Sequence, residues 1–229
     1  TVDGAVSLAL NSTGVTTFQN KVGFTDALAS LTTNTGGSLV MNAGSITTTG
    51  QQTYGEAITL GQATTLNAGA GHVTFSSTVD GGFDLTINTT GITRLDADVG
   101  ALTPLMNVTT NAGGMVLVDA SVIHTTGTQT YNDMVSLLRH ATLTGSEVTF
   151  NAAAMGTGDL NVVGAAVLNG GSVSTTGAQT YHGAVTLQKN HVMDAGASAV
   201  TFNGTVDGPY ALTVNAGGVT TFNGAIGST

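Results

Sequence analysis

Cysteine and tryptophan are absent, proline occurs twice, and charged residues make up only 7 % of the chain. Without thiols there is no disulfide framework, no Cys-ligated zinc and no iron–sulfur cluster. Four basic residues against thirteen acidic ones leave a net charge of -9. Such a chain cannot neutralise a phosphate backbone, so nucleic acid is excluded as a partner. Apolar runs are only a few residues long, so no segment is expected to insert in a bilayer. Low charge often accompanies disorder, but 41 % hydrophobic content, rich in Val, Leu and Ala, argues for a packed core.

What the chain has in excess is glycine (33), threonine (42) and itself. One pattern occurs three times: TTTGQQTYGEAITL at 47–60, HTTGTQTYNDMVSL at 124–137 and STTGAQTYHGAVTL at 174–187. The tyrosines are Tyr54, Tyr131 and Tyr181, spaced by 77 and 50 residues. A second pattern follows, VTFSSTVDGGFDLTINTTGITRL from Val73 and VTFNGTVDGPYALTVNAGGVTTF from Val200. The units run at approximately 1–44 (partial), 45–120 (full), 121–171 (short) and 172–229 (partial). The short unit lacks about 27 residues. A globule would not survive that loss, whereas a solenoid can drop one coil because each coil touches only its neighbours. Both ends fall inside a unit, so the chain is expected to be one solenoid segment of a longer protein.

Short runs such as Ala57-Ile58-Thr59-Leu60 and Leu212-Thr213-Val214-Asn215 alternate apolar and polar residues, as half-buried strands do. Asp-Gly, Thr-Thr-Gly and Asn-Ala-Gly-Gly punctuate them as turns. Residues 24–31 are the best helical candidate, although a loop or strand pair suits them better. The expected fold is all-β: a right-handed parallel β-helix of about nine coils, each roughly 25 residues, with the long unit as three coils and the short one as two. Leu60, Leu66, Val73, Phe75, Val79, Leu85, Ile87 and Ile92 are assigned to its core, with Leu187, Val200, Phe202, Val206, Leu212, Val214 and Val219 as their counterparts. Outward threonines then stack coil on coil. A column of like charges would repel itself, which accounts for the scarcity of charge.

No residue is assigned as catalytic, cofactor-binding or metal-binding. Asp3, Asp80 and Asp207 recur in TVDG and read as turn residues. The calcium repeat GGxGxDxUx is not met by residues 81–85. Asp96 and Asp98, with Asp80 and Asp84 a coil away, form the densest acidic cluster. It is the place for weak calcium binding, or for an acid pair in a polysaccharide-degrading β-helix, while Arg94 offers a simple ion pair. Their counterparts in other units are Gln19 and Lys21, and Asn223 and Ala225, which disfavours catalysis. His72, His124, His140, His182 and His191 share no motif and read as solvent-facing or turn residues. An exposed ladder of Tyr54, Tyr131 and Tyr181 would suit glycan, but packing at a coil corner is favoured. Threonine arrays raise ice binding, yet no T-x-T recurs in every coil. No serine nucleophile elbow or phosphate loop occurs.

TTGAQTYHGAVTL, VTFNGTVDGPYALTVNAGGVTTFNGAIG and LTTNTGG resemble the strand repeats of very large secreted bacterial proteins, the adhesins of the filamentous-haemagglutinin and autotransporter kind. The resemblance covers nearly the whole chain. It implies a right-handed parallel β-helix, secretion or display at the cell surface, and a structural or adhesive role as a shaft, matrix protein or fibre. It carries no catalytic residues over. The expected partners are further copies or coils stacked end to end, and host or surface glycans. A glycan- or calcium-binding surface module is the alternative function, and a glycan-degrading enzyme the rival class.

Overall fold

The computed structural model describes residues 2–227 and contains only strands, turns and connecting segments. Every strand pairing is parallel, and each strand lies on one about a coil away. This is a β-solenoid. Partner residues on one face lie 19 to 23 positions apart, as in Met115↔Met134 and Ser7↔Ser30. The coils are therefore shorter than 25 residues, and eleven of them stack instead of nine. At about 4.8 Å per coil the stack is roughly 50 Å long.

Each coil has three faces. Face I is an eleven-stranded sheet running from Ser7–Leu10 through Gln52–Tyr54, Ile92–Leu95 and Met134–Leu137 to Leu212–Asn215. Face II begins with Val15–Phe18, Ser38–Met41 and Ala57–Leu60 and ends with Gln179–Tyr181, Val200–Phe202 and Thr220–Phe222. Face III includes Ser45–Thr47, Leu85–Thr89, Val108–Thr110, Thr128–Tyr131 and Val185–Leu187. Ala141–Phe150 and Leu160–Leu168 each bend across the corner from face II to face III, with a register shift between Thr144 and Glu147. Gly164 sits at that bend with φ +123°, where a Cβ would collide with the carbonyl oxygen of Gly145.

Alternation does what the sequence pattern requires. In Leu85–Thr89 the burial alternates, with Leu85, Ile87 and Thr89 inside. Thirteen of the fifteen core assignments lie inside or half-inside the stack. Ile92 is half-buried and points outward, because Thr93 and Leu95 take the inner positions of its strand. Val219 is exposed, and Leu212 and Val214 are only half-buried in the last coils. Residues 24–31 form no helix; they lead through an exposed Phe24 into Ser30–Thr33.

Threonine excess has the anticipated cause. Thr65, Thr86, Thr109, Thr130 and Thr149 stand in one outward column on face III. Two residues along each strand comes Asn67, Asn88, Asn111, Asn132 or Asn151. Asn88 donates to Asn67 Oδ1 at 2.9 Å and Asn151 to Asn132 Oδ1 at 2.7 Å. An amide can donate to the coil on one side and accept from the other, so a neutral column binds itself where a charged one would split.

The repeats and the coils keep different time. From Gln52–Tyr54 to Thr128–Tyr131 the chain advances eleven strand positions, which is three coils and two faces. From there to Gln179–Tyr181 it advances eight, two coils and two faces. The difference is three strand positions, one whole coil, as the missing residues of the short unit implied. The long unit is thus not three coils, nor the short one two. The three copies land on faces I, III and II in turn.

Candidate functional site

The most repeated residues converge on the interior. In each copy QTY lies directly under VTF of the next coil: Gln52↔Val73 and Tyr54↔Phe75, Gln129↔Val148 and Tyr131↔Phe150, Gln179↔Val200 and Tyr181↔Phe202. The rings stack with centroids 5.4, 5.6 and 5.4 Å apart. Such pairs add about 0.5–1.5 kcal/mol beyond their burial. Val73 and Val200 thus occupy the same local environment on different faces.

The buried glutamine is the centre of this arrangement. Gln129 Nε2 donates to the carbonyl oxygens of Ile123 (2.9 Å), in its own coil, and Thr144 (2.8 Å), in the next. Its Oε1 accepts from Tyr131 Oη at 2.9 Å. Gln52 repeats this with Ile46 and Asn67, and Gln179 with Val173 and Asp194. Tyr54 and Tyr181 donate to Gln52 and Gln179 at 2.8 and 3.3 Å. The Thr-x-Gly turn just before is shaped by its own hydroxyl, as in Thr125 Oγ1 to the Gly127 carbonyl at 3.0 Å. Every polar atom of the amide is satisfied inside the core, and burial pushes all three phenols up. The tyrosines therefore lie inward on strands, neither at corners nor in an exposed ladder.

An acid follows two of the three tyrosines. Asp133 is 2 % exposed; its Oδ1 accepts from the Gly114 amide at 2.6 Å and its Oδ2 has no partner. Burial pushes its carboxyl up, against the opposing pull of the Gly114 and Gly113 amides. Glu56 is buried at the equivalent place, beside Gly37, with neither carboxylate oxygen bonded. The third copy has Gly183 there and no Gly-Gly turn one coil back. Sequence reading missed these two acids; the signal was that the acid and the Gly-Gly turn come and go together.

Two of the recurrent aspartates reach across coils. Asp80 Oδ1 accepts from the amides of Leu102 (2.9 Å) and Thr103 (3.0 Å), and Asp3 Oδ1 from that of Thr25 (3.0 Å). Asp207 ends its strand opposite Thr186. Asp3 and Asp80 are thus more than local turn formers. The glycine after Asp80 does serve the turn: Gly81 has φ +123°, and a Cβ there would meet the Leu60 carbonyl.

The acidic cluster separates. Asp96 pairs with Arg94 at 2.5 Å, the simple ion pair anticipated. Asp98 Oδ1 accepts from Ser121 and Val122, both at 2.9 Å, and Asp84 Oδ1 accepts from Asn107 at 2.7 Å. Among the described residues no three His, Cys, Asp or Glu side chains converge to hold a metal ion. The histidines are scattered. His72 Nδ1 accepts from the Ile92 amide at 2.9 Å, and His140 lies 3.2 Å from Asp159. His182 links Asn161 and Asn203 in an amide ladder, and His124 is half-buried on its strand. His191 departs from the solvent-facing expectation: it is 1 % exposed with neither ring nitrogen bonded, and burial, helped by Lys189, lowers its pKa to about 4.

No protein-family model, curated protein or solved structure matches the chain. Its chemistry is therefore read from its own geometry.

Proposed function

We propose that the chain is a shaft: a secreted or surface-displayed β-solenoid segment of a bacterial adhesin, matrix protein or fibre, with no catalytic role. One observation supports this above the others. The residues kept from unit to unit, TTGxQTY and VTF, are spent on inward hydrogen bonds and ring stacks that join one coil to the next. Because the units rotate from face to face, their repeated side chains build a rod and not a row of sites along one side. Continuation into neighbouring coils of the same chain, or pairing of strand edges with another copy, belongs to the same proposal. Surface glycans are the partner class for whatever the shaft displays.

The test grafts the chain between a surface anchor and a binding domain of known ligand. Adhesion is expected to persist, to vary with the number of coils, and to be indifferent to Asp96→Asn, Asp98→Asn and added calcium. Release of sugars from a glycan panel that Asp98→Asn abolishes would overturn the proposal in favour of an enzyme. A large rise in melting temperature with calcium would favour a calcium-dependent module.

A further inference from the structure

Face I carries a contiguous outward apolar patch. Ile92, Met115 and Met134 form one outward column in consecutive coils. Beside it, Leu117 stacks between Arg94 and Ser136, and Ser136 is followed by Met155. Leu138 and Met155 are 42 % and 41 % exposed. The partner positions on each strand, Val116, Val118, Val135 and Leu137, fill the core, so the outward residues contribute nothing to it. Outward positions on face III are chiefly Thr and Asn, and face II interleaves Thr and Ser with single residues such as Val15, Val40 and Val163. Methionine is pliable and suits a surface that must fit another.

We propose that this face is where a second copy of the chain packs, side by side, sheet against sheet. Two features favour that occupant. The first is charge. A chain of net charge -9 repels its own copies, yet two of its four basic residues border this patch, Arg94 paired with Asp96 and Arg139 with Asp119. The rim is thus locally neutral, and copies can approach there without the repulsion that the net charge imposes elsewhere. The second is area. Eleven strands of about four residues give face I a footprint of roughly 650 Å² per partner, near the ~800 Å² of a standard interface. Beyond the patch, face I presents small outward residues such as Ser30, Thr32, Thr53, Thr74, Ser172 and Ser174, which allow sheets to approach to about 10 Å. The apolar centre supplies the attraction and the flat polar remainder the fit. The association is lateral and separate from any end-to-end stacking of coils.

Sedimentation equilibrium from micromolar to millimolar protein, with small-angle scattering on the same samples, tests this. The expected result is a concentration-dependent dimer with a thicker cross-section and unchanged length. Met134→Lys should weaken it by about tenfold or more while the melting temperature holds, and Thr109→Lys on face III should leave it intact. If Met134→Lys alters the fold, Ser136→Lys at the neighbouring outward position provides the same reading. A monomer throughout the range overturns the proposal. So does a dimer that lengthens the rod without thickening it, although that result would leave the shaft proposal standing.

Discussion

Acid should loosen this rod at one identifiable place. His191 and Met193 occupy the inner positions of His191–Asp194, and the carbonyl of Gly171 in the preceding coil bonds the Val192 amide. Neither ring nitrogen has a partner, so a proton taken up in the folded state has nothing to bond. The folded pKa is about 4 against an ordinary 6.5. Above pH 6.5 the ring is neutral in both states and its burial is unpenalised. Between 6.5 and 4 the unfolded chain binds the proton first, so stability falls as pH falls; below 4 the loss is complete. From 6.5 down to about 4, at ~1.4 kcal/mol per pKa unit, the loss is about 3 kcal/mol. Urea unfolding of wild type and His191→Leu at pH 7.5 and pH 4 measures it, with amide exchange across His191–Asp194 to localise it, since a solenoid can unfold coil by coil. The wild type should lose about 3 kcal/mol more than the variant on acidification. Equal losses in both proteins, or a His191 ring titrating near 6.5 by NMR, would refute the reasoning.

Replacing Gln129 by Leu leaves Tyr131 Oη without its acceptor in the core and takes one donor each from the carbonyls of Ile123 and Thr144, the latter still held by the Thr125 amide; about 1–3 kcal/mol of stability should vanish, read by denaturant unfolding. Asp133→Asn should stabilise at neutral pH, because Asn keeps the Gly114 bond without a buried charge. The wild-type carboxyl is raised, so its stabilising neutral form is present below 3.8 and lost as pH rises through the folded pKa; the advantage of Asn should therefore fade toward pH 3, in melting curves at both pH values. Deleting residues 116–134 brings Val135 to the place of Val116 and removes one coil. That variant should fold cooperatively, with a rod shorter by about 4.8 Å in scattering, whereas deleting a single face's worth of chain should abolish the native circular dichroism.

The solenoid was legible because its signals are local. Alternation in LTIN and VTF, turn pairs such as Asp80-Gly81, and a unit that tolerates losing a block of residues all point one way. The inward direction of Val73 and Phe75 followed from strand period alone. Other features were hidden because they depend on contacts between coils. A local view reads Asp98 as a possible ligand, while its bonds to Ser121 and Val122 exist only once the next coil lies above it. His191 looks like a surface histidine until the parity of its strand, shared with Met193, turns it inward. Ile92 seemed a core residue by composition, yet the parity of its strand sends Thr93 and Leu95 inward in its place.

Sequence by itself determined that like strands stack on like strands, that threonine and asparagine replace charge on the outside, and that whole coils can be lost. It determined which residues form the QTY and VTF layers, since these pair wherever they fall. Only the tertiary structure decided how many coils there are and which face each layer occupies. A coil closes after three strand positions, a property of its corners, while the long unit runs for eleven. Eleven does not divide by three, so each copy of the same residues is carried to a new side of the rod.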